Sequence, residues 1–152
     1  SGLISGNQCI IRGSSAGGFT VLAALTFTDT FNAGACYYGI SDLEALTKDT
    51  HKFESHYLDD LIGPYPLERK KYMRRSPINY ADQLDCPIVF FQGLQDNVVP
   101  PNQARKMAAA LQKKNIYHKH IEYSDEGHGF RKAANITHAL ETELAFYLEV
   151  FG

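Results

Sequence analysis

The chain has no apolar run long enough to span a bilayer, and no charged-then-apolar leader at its start. It has no strong excess of either charge. A net charge of −2 and a pI near 6.3 exclude the basic surface that nucleic-acid binding requires. The one basic run, Arg69-Lys70-Lys71 through Arg74-Arg75, reads as a solvated helix face. Cysteine is scarce. Cys9, Cys36 and Cys86 are odd in number, widely spaced and each set in an apolar run, which argues against a disulfide framework. Buried reduced thiols in a cytoplasmic protein are the expectation. There is no internal repeat, no low-complexity tract and no initiator Met. The opening Ser1-Gly2-Leu3-Ile4-Ser5-Gly6-Asn7 leads straight into the first apolar run, so the chain reads as a piece of a longer one.

What is present suits one packed domain: 152 residues, 44% hydrophobic and 21% charged. Four strand-like runs stand out at Gln8–Arg12, Ala33–Tyr38, Pro87–Gln92 and Tyr117–Tyr123. The first three are nearly continuous apolar runs, as expected of strands covered on both faces of a parallel sheet. The last alternates, with Tyr117, Lys119, Ile121 and Tyr123 on one side and His118, His120 and Glu122 on the other. Helical patterns fall at 16–27, Phe53–Ile62 (stopped by Gly63-Pro64), 67–75, the segment after Pro100-Pro101, and about 133–150. The last carries Ile136, Leu140, Leu144 and Leu148 down one side. Strand–helix alternation of this kind predicts an α/β fold, a mainly parallel sheet of about four strands flanked by helices. Residues 43–77 exceed a simple crossover and are expected to form a cap over the active-site edge.

Gly13-Ser14-Ser15-Ala16-Gly17 lies between a short apolar strand and an apolar helical segment, the context of a G-x-S-x-G nucleophile elbow. A serine on a strained turn brings backbone close, and the glycines two positions either side are expected to avoid clashes. An elbow serine needs a base, and the base needs an orienting acid. Among six histidines, His128 stands in Glu126-Gly127-His128-Gly129-Phe130, a loop directly after the last strand. His51, His56, His118, His120 and His138 read as exposed or packing histidines. His118-x-His120 lacks a third metal ligand at suitable spacing. For the acid, Asp96 leaves the tip of the third strand and Asp42 the tip of the second. Asp96 is favoured because its strand immediately precedes the one leading to His128. Asp42 reads as a loop or capping residue, and Asp125 is too near His128 in sequence to reach its ring.

The chemistry expected is acyl transfer without metal or organic cofactor. Ser15 attacks, His128 acts as base, Asp96 orients it, and the Ala16 backbone N–H serves as oxyanion donor. Tyr37, Tyr38, Val98 and Val99 leave strand tips at the same edge and are candidates for an apolar substrate pocket, with core packing the competing reading. A carboxylesterase of small acyl esters would use the same triad. A catalytically weak piece that self-associates as a homodimer through the strand edge at Gln8–Arg12 is the alternative outside enzymology. Asn135-Ile136-Thr137 matches a glycosylation sequon within the final helical pattern, and is read as chance.

Four motifs in order carry a family resemblance. They are Gly13-Ser14-Ser15-Ala16-Gly17-Gly18, Ser76-Pro77-Ile78-Asn79-Tyr80, Gly93-Leu94-Gln95-Asp96-Asn97-Val98-Val99-Pro100-Pro101 and Glu126-Gly127-His128-Gly129-Phe130. With the closing run from Leu140 to Gly152, the chain resembles the C-terminal part of the catalytic domain of prolyl oligopeptidase (S9) serine peptidases, nearest the acylaminoacyl-peptidase and dipeptidyl-peptidase branch. The resemblance implies a peptide substrate, Ser15 as nucleophile, Asp96 as acid and His128 as base. It also implies an α/β-hydrolase domain normally longer at its N-terminus and preceded by a β-propeller. The upstream strands and their Tyr-bearing oxyanion segment are absent from this sequence.

Overall fold

A computed structural model describes residues 6–49 and 55–152. The elements are β1 (Ile10–Ser14), α1 (Ala16–Phe27), β2 (Ala33–Tyr37), α2 (Leu43–Asp49), α3 (Ser55–Ile62), α4 (Arg69–Arg75), a 3-10 segment (Pro77–Gln83), β3 (Ile88–Gly93), α5 (Asn102–Lys113), β4 (His118–Tyr123) and α6 (Ala133–Phe151). The four strands form one parallel sheet in the order β1-β2-β3-β4. Ile10 pairs with Ala33 and Ser14 with Tyr37, while Ile88 pairs with His118 and Gly93 with Tyr123.

Strand alternation divides the core. Ile88 and Phe90 pack with Val21, Leu22 and Leu25 of α1 and Met107 and Leu111 of α5. Val89 and Phe91 point the other way, with Tyr123, Ala139 and Phe146 of α6. A third cluster joins Ile40, Leu43, Leu46, Leu58, Tyr72 and Val99 beyond the strand tips. β2 and β3 are buried along their whole length, as their apolar runs predict. β1 is not. It alternates exposed and half-buried because, among the described residues, it has a hydrogen-bonded neighbour on one side only.

Two expectations need correction. β1 runs Ile10–Ser14, two residues later than Gln8–Arg12, because Gly13 and Ser14 keep pairing with Cys36 and Tyr37 although neither carries an apolar signal. The leucine row of α6 does not face the core. Leu140, Leu144 and Leu148 are 52%, 60% and 63% exposed, while Ala139, Glu143 and Phe146 are buried against the sheet. A helix apolar on two sides cannot show by periodicity which side packs. The aromatic stack of Phe146 on Tyr117 and the ion pair from Glu143 to Arg12 accompany the opposite choice.

Among the described residues of 43–75 there are three short helices rather than two, α2 having gone unread. Phe53 and His51 lie outside the described residues, as does the side chain of His56. Asp42 caps α2, its Oδ1 accepting from the Ala45 N–H at 2.9 Å. Cys36 and Cys86 are buried free thiols. Burial pushes Cys36 up to about 12 and Cys86 up to about 11. Among the described residues no helix is long and apolar enough to cross a membrane.

Candidate active site

The chain leaves β1 at Ser14 and turns into α1 through Ser15, whose φ of 55° and ψ of −117° lie in a region that L-residues rarely adopt. Its N–H donates to the Tyr37 carbonyl at 3.0 Å and its carbonyl accepts from Phe19 N–H at 3.0 Å. A Cβ on Gly13 would lie 2.4 Å from the Gly17 carbonyl oxygen, so the elbow demands glycine there. The same argument fails at Gly17, where an added Cβ meets nothing. It applies instead at Gly18, where a Cβ would approach the Gly39 Cα to 2.6 Å. Ala16 opens α1, so its N–H has no intrahelical acceptor and stands beside Ser15 as an available donor.

Asp96 follows the tip of β3 and is almost fully buried. Its Oδ1 accepts from the backbone N–H of Val98 at 2.9 Å and of Val99 at 2.8 Å. Buried Gln92 sends its Nε2 to Asp96 Oδ2 at 3.4 Å and to the Val99 carbonyl at 3.0 Å. His128 lies in the loop between β4 and α6. The carboxylate of Glu126 draws that loop onto the start of α6, accepting from the backbone N–H of Arg131 at 3.0 Å and of Lys132 at 2.9 Å and from the Asn135 amide at 3.0 Å. Burial opposes ionisation of Glu126, but these hydrogen bonds outweigh it and hold the carboxyl below its ordinary value. Asn135, the sequon asparagine, is thus occupied within the fold.

The two loops are stitched together. Gln95 N–H donates to the Glu126 carbonyl and Leu94 N–H to the Tyr123 carbonyl, both at 2.9 Å. Gly93 permits this contact, since a Cβ there would meet the Glu126 and Gly127 carbonyl oxygens at 2.4 and 2.6 Å. The result is one hydrogen-bonded line. His128 Nε2 is 2.9 Å from Ser15 Oγ, and His128 Nδ1 is 2.9 Å from Asp96 Oδ2. Asp42 takes no part; besides capping α2 it pairs with Lys106 at 3.0 Å. Asp125 is likewise engaged elsewhere, with Lys132 and Asn135.

A cavity of about 310 Å³ opens beside Ser15 and His128, walled by Ile40, Leu46, Tyr57, Leu58, Val98 and Val99. Val98 and Val99 border this cavity beside Ser15 and His128. Tyr37 does not border it: its ring stacks on Phe91 and its hydroxyl donates to Glu143 at 2.5 Å, within a group that also ties Arg12 and Tyr147 to that carboxylate. Tyr38 lines a separate hollow with Arg12 and Leu140 and lays its ring edge-on to His128. Sequence reasoning missed Gln92, Glu126 and the Leu46, Tyr57 and Leu58 wall. The signal for Gln92 was a lone polar residue in an apolar strand; Glu126 and the wall had none. Among the described residues no cluster of three His, Cys, Asp or Glu side chains could hold a metal ion. His118 Nδ1 is instead engaged by the Ile116 carbonyl at 2.9 Å, and burial lowers the imidazole of His120 from its ordinary value.

A parallel sheet whose strand tips align a serine, an imidazole and a carboxylate defines the class: an α/β-hydrolase fold. More narrowly, the chain belongs to the prolyl oligopeptidase family, whose model matches residues 1–152. Dipeptidyl peptidase family member 6 of Caenorhabditis elegans is 34% identical over 141 residues, covering 88% of this chain and 19% of that protein. A puromycin-hydrolyzing peptidase of Mycobacterium tuberculosis superposes with a TM-score of 0.95 at 47% identity, over 99% of this chain and 23% of its own. A puromycin hydrolase mutant complexed with PGG gives 0.91 at 37% identity, over 96% and 22%. The chain therefore spans about a fifth of the length of the relatives it matches.

Proposed function

We propose that the chain is the C-terminal part of a peptidase catalytic domain that cleaves short peptides through an acyl-enzyme on Ser15. The observation that carries this reading is the unbroken line Ser15 Oγ–His128–Asp96, with 2.9 Å at each step. Ser15 Oγ attacks the scissile carbonyl carbon as His128 Nε2 takes the hydroxyl proton. Asp96 holds the Nδ1–H tautomer and stabilises the imidazolium. The Ala16 N–H donates to the developing oxyanion. Collapse breaks the C–N bond, and His128 returns the proton to the departing amine. Water activated by the same imidazole then attacks the acyl carbon, its oxygen displacing Ser15. The apolar cavity receives the side chain on the acyl side of the cut bond, with residues 43–77 as its cover.

A fluorophosphonate probe tests the chemistry: it labels this chain at Ser15 and fails to label Ser15→Ala. Absence of labelling in a protein carrying the full catalytic domain would discard the nucleophile assignment. Turnover of nitrophenyl esters without aminoacyl-nitroanilides would replace the peptidase by an esterase. Two further readings accompany the proposal. The buried thiols suit the reducing cytoplasm. The open edge of β1 offers a second copy of the isolated chain a strand to pair with, and a monomer by light scattering at high concentration would remove that reading.

A further inference from the structure

Outside glycine, three of the described residues have left-handed backbone: Ser15, Tyr38 and Asn115. Ser15 is the elbow, and Asn115 ends α5, a place where asparagine tolerates this conformation. Tyr38, at φ 37°, is a bulky aromatic in a region such residues avoid, so something must hold it there. The backbone does. Its N–H donates to the Phe91 carbonyl at 2.8 Å, and the chain then passes Gly18 at Gly39, where a Cβ would meet Cys36 Sγ at 2.4 Å.

The consequence is directional. Successive residues of a strand point to opposite faces. Tyr37 faces α6, so an extended residue 38 would point toward α1. The left-handed turn instead keeps the Tyr38 ring on the side of Tyr37, with centroids 6.3 Å apart, and brings it edge-on to His128 at 5.0 Å and to Phe130 at 5.3 Å. His128 is bound at both ring nitrogens, and these bonds fix a line rather than the tilt about it. Its loop neighbours are glycines, Gly129 at φ 82°, which add no side-chain bracing. The Tyr38 ring supplies the lateral contact.

We propose that Tyr38 is a positioning residue that sets the tilt of the His128 imidazole between Ser15 and Asp96, and that the strained backbone at residue 38 serves this contact. The inference rests on the reading of His128 as general base. Because the ring makes the contact, Tyr38→Phe should keep it, whereas Tyr38→Leu and Tyr38→Gly remove it. Glycine also relieves the strain, so loss of function without loss of stability in Tyr38→Gly separates positioning from folding.

The experiment pairs two readouts on the full chain, with thermal unfolding as the folding control. One is the rate of fluorophosphonate labelling; the other is the downfield proton resonance of His128 Nδ1–H bonded to Asp96. Tyr38→Phe is expected to label within about twofold of wild type with its resonance unchanged. Tyr38→Leu and Tyr38→Gly are expected to label at least about tenfold more slowly, with the resonance broadened or lost, since small displacements of a catalytic group are costly. An unchanged resonance and rate in both ring-less variants would overturn the proposal, as would Tyr38→Phe behaving like Tyr38→Leu. Should the wild type not label while the resonance still depends on the ring, the general-base reading falls and the positioning contact stands.

Discussion

The two sides of the cleft are held by different means. On the sheet rim the three groups proposed to react are fixed largely through backbone. Ser15 sits on a strained turn, Asp96 is clasped by two N–H groups, and the His128 loop is drawn in by Glu126 through two more. On the facing side, α2, α3 and α4 have 7, 8 and 7 residues, too short to persist alone. Side chains link them: the Glu44 carboxylate accepts from Arg69 at 2.7 Å and Tyr65 at 2.8 Å, which with Lys48 holds it down to about 2. Geometry that the backbone dictates is hard to alter without breaking the fold. A wall of side chains can change shape or specificity while the rim stays put.

The sharpest way to break this contrast is at the rim. Asp96→Asn is expected to slow fluorophosphonate labelling by about 10³-fold or more with little change in unfolding midpoint, because it inverts the His128 tautomer and spares the packing. Wild-type labelling by this variant would show that the rim does not govern the chemistry. Next in size, Gly13→Ala should cost about 3 kcal/mol in urea unfolding, forcing the strand off the elbow. Gly17→Ala, facing open space, should stay within about 0.5 kcal/mol. Equal losses at both would remove the steric account.

Behind the rim, Glu143→Gln tests whether β1 and β2 need the buried carboxylate that joins Arg12, Tyr37 and Tyr147. Burial raises the Glu143 carboxyl, but the bonds from Arg12, Tyr37 and Tyr147 outweigh this and leave it below its ordinary value. Its stabilisation is therefore complete above the unfolded carboxyl value, near pH 4.3, and disappears as pH falls through the lower folded value. A loss of about 2 kcal/mol at pH 7, discounted from a fully buried pair because Arg12 is half-exposed, should shrink below about pH 4. A pH-independent loss would contradict the linkage. The smallest effects belong to the facing wall. Leu58→Ala should raise KM for substrates with large apolar side chains more than it lowers kcat. Glu44→Gln, in a solvent-screened group, should leave the unfolding midpoint unchanged within error.

Much of the rim was legible because two of the three candidate residues sit where a strong local signal ends: an apolar run, then a glycine, then the polar residue. The elbow and the aspartate at the tip of β3 follow that grammar, whereas the histidine, after an alternating strand, is marked by its two flanking glycines alone. Gln92 escaped it because a single amide in an apolar strand reads as noise until its neighbours in space are known. α2 escaped because Leu43–Asp49 is seven residues long and offers barely two turns of periodicity. Tyr37 and Tyr38 are adjacent aromatics of like propensity, and nothing local tells that one backs a buried carboxylate while the other braces an imidazole.

The sequence by itself determined the order of the four strands and the helices that alternate with them, and which residues could carry the chemistry, since these follow from turn stereochemistry and from periodicity over short windows. Only the tertiary structure decided which face of α6 is buried, which side chains wall the cavity, and where the ring of Tyr38 points. Those outcomes depend on contacts between residues distant along the chain, whose energies no local pattern encodes.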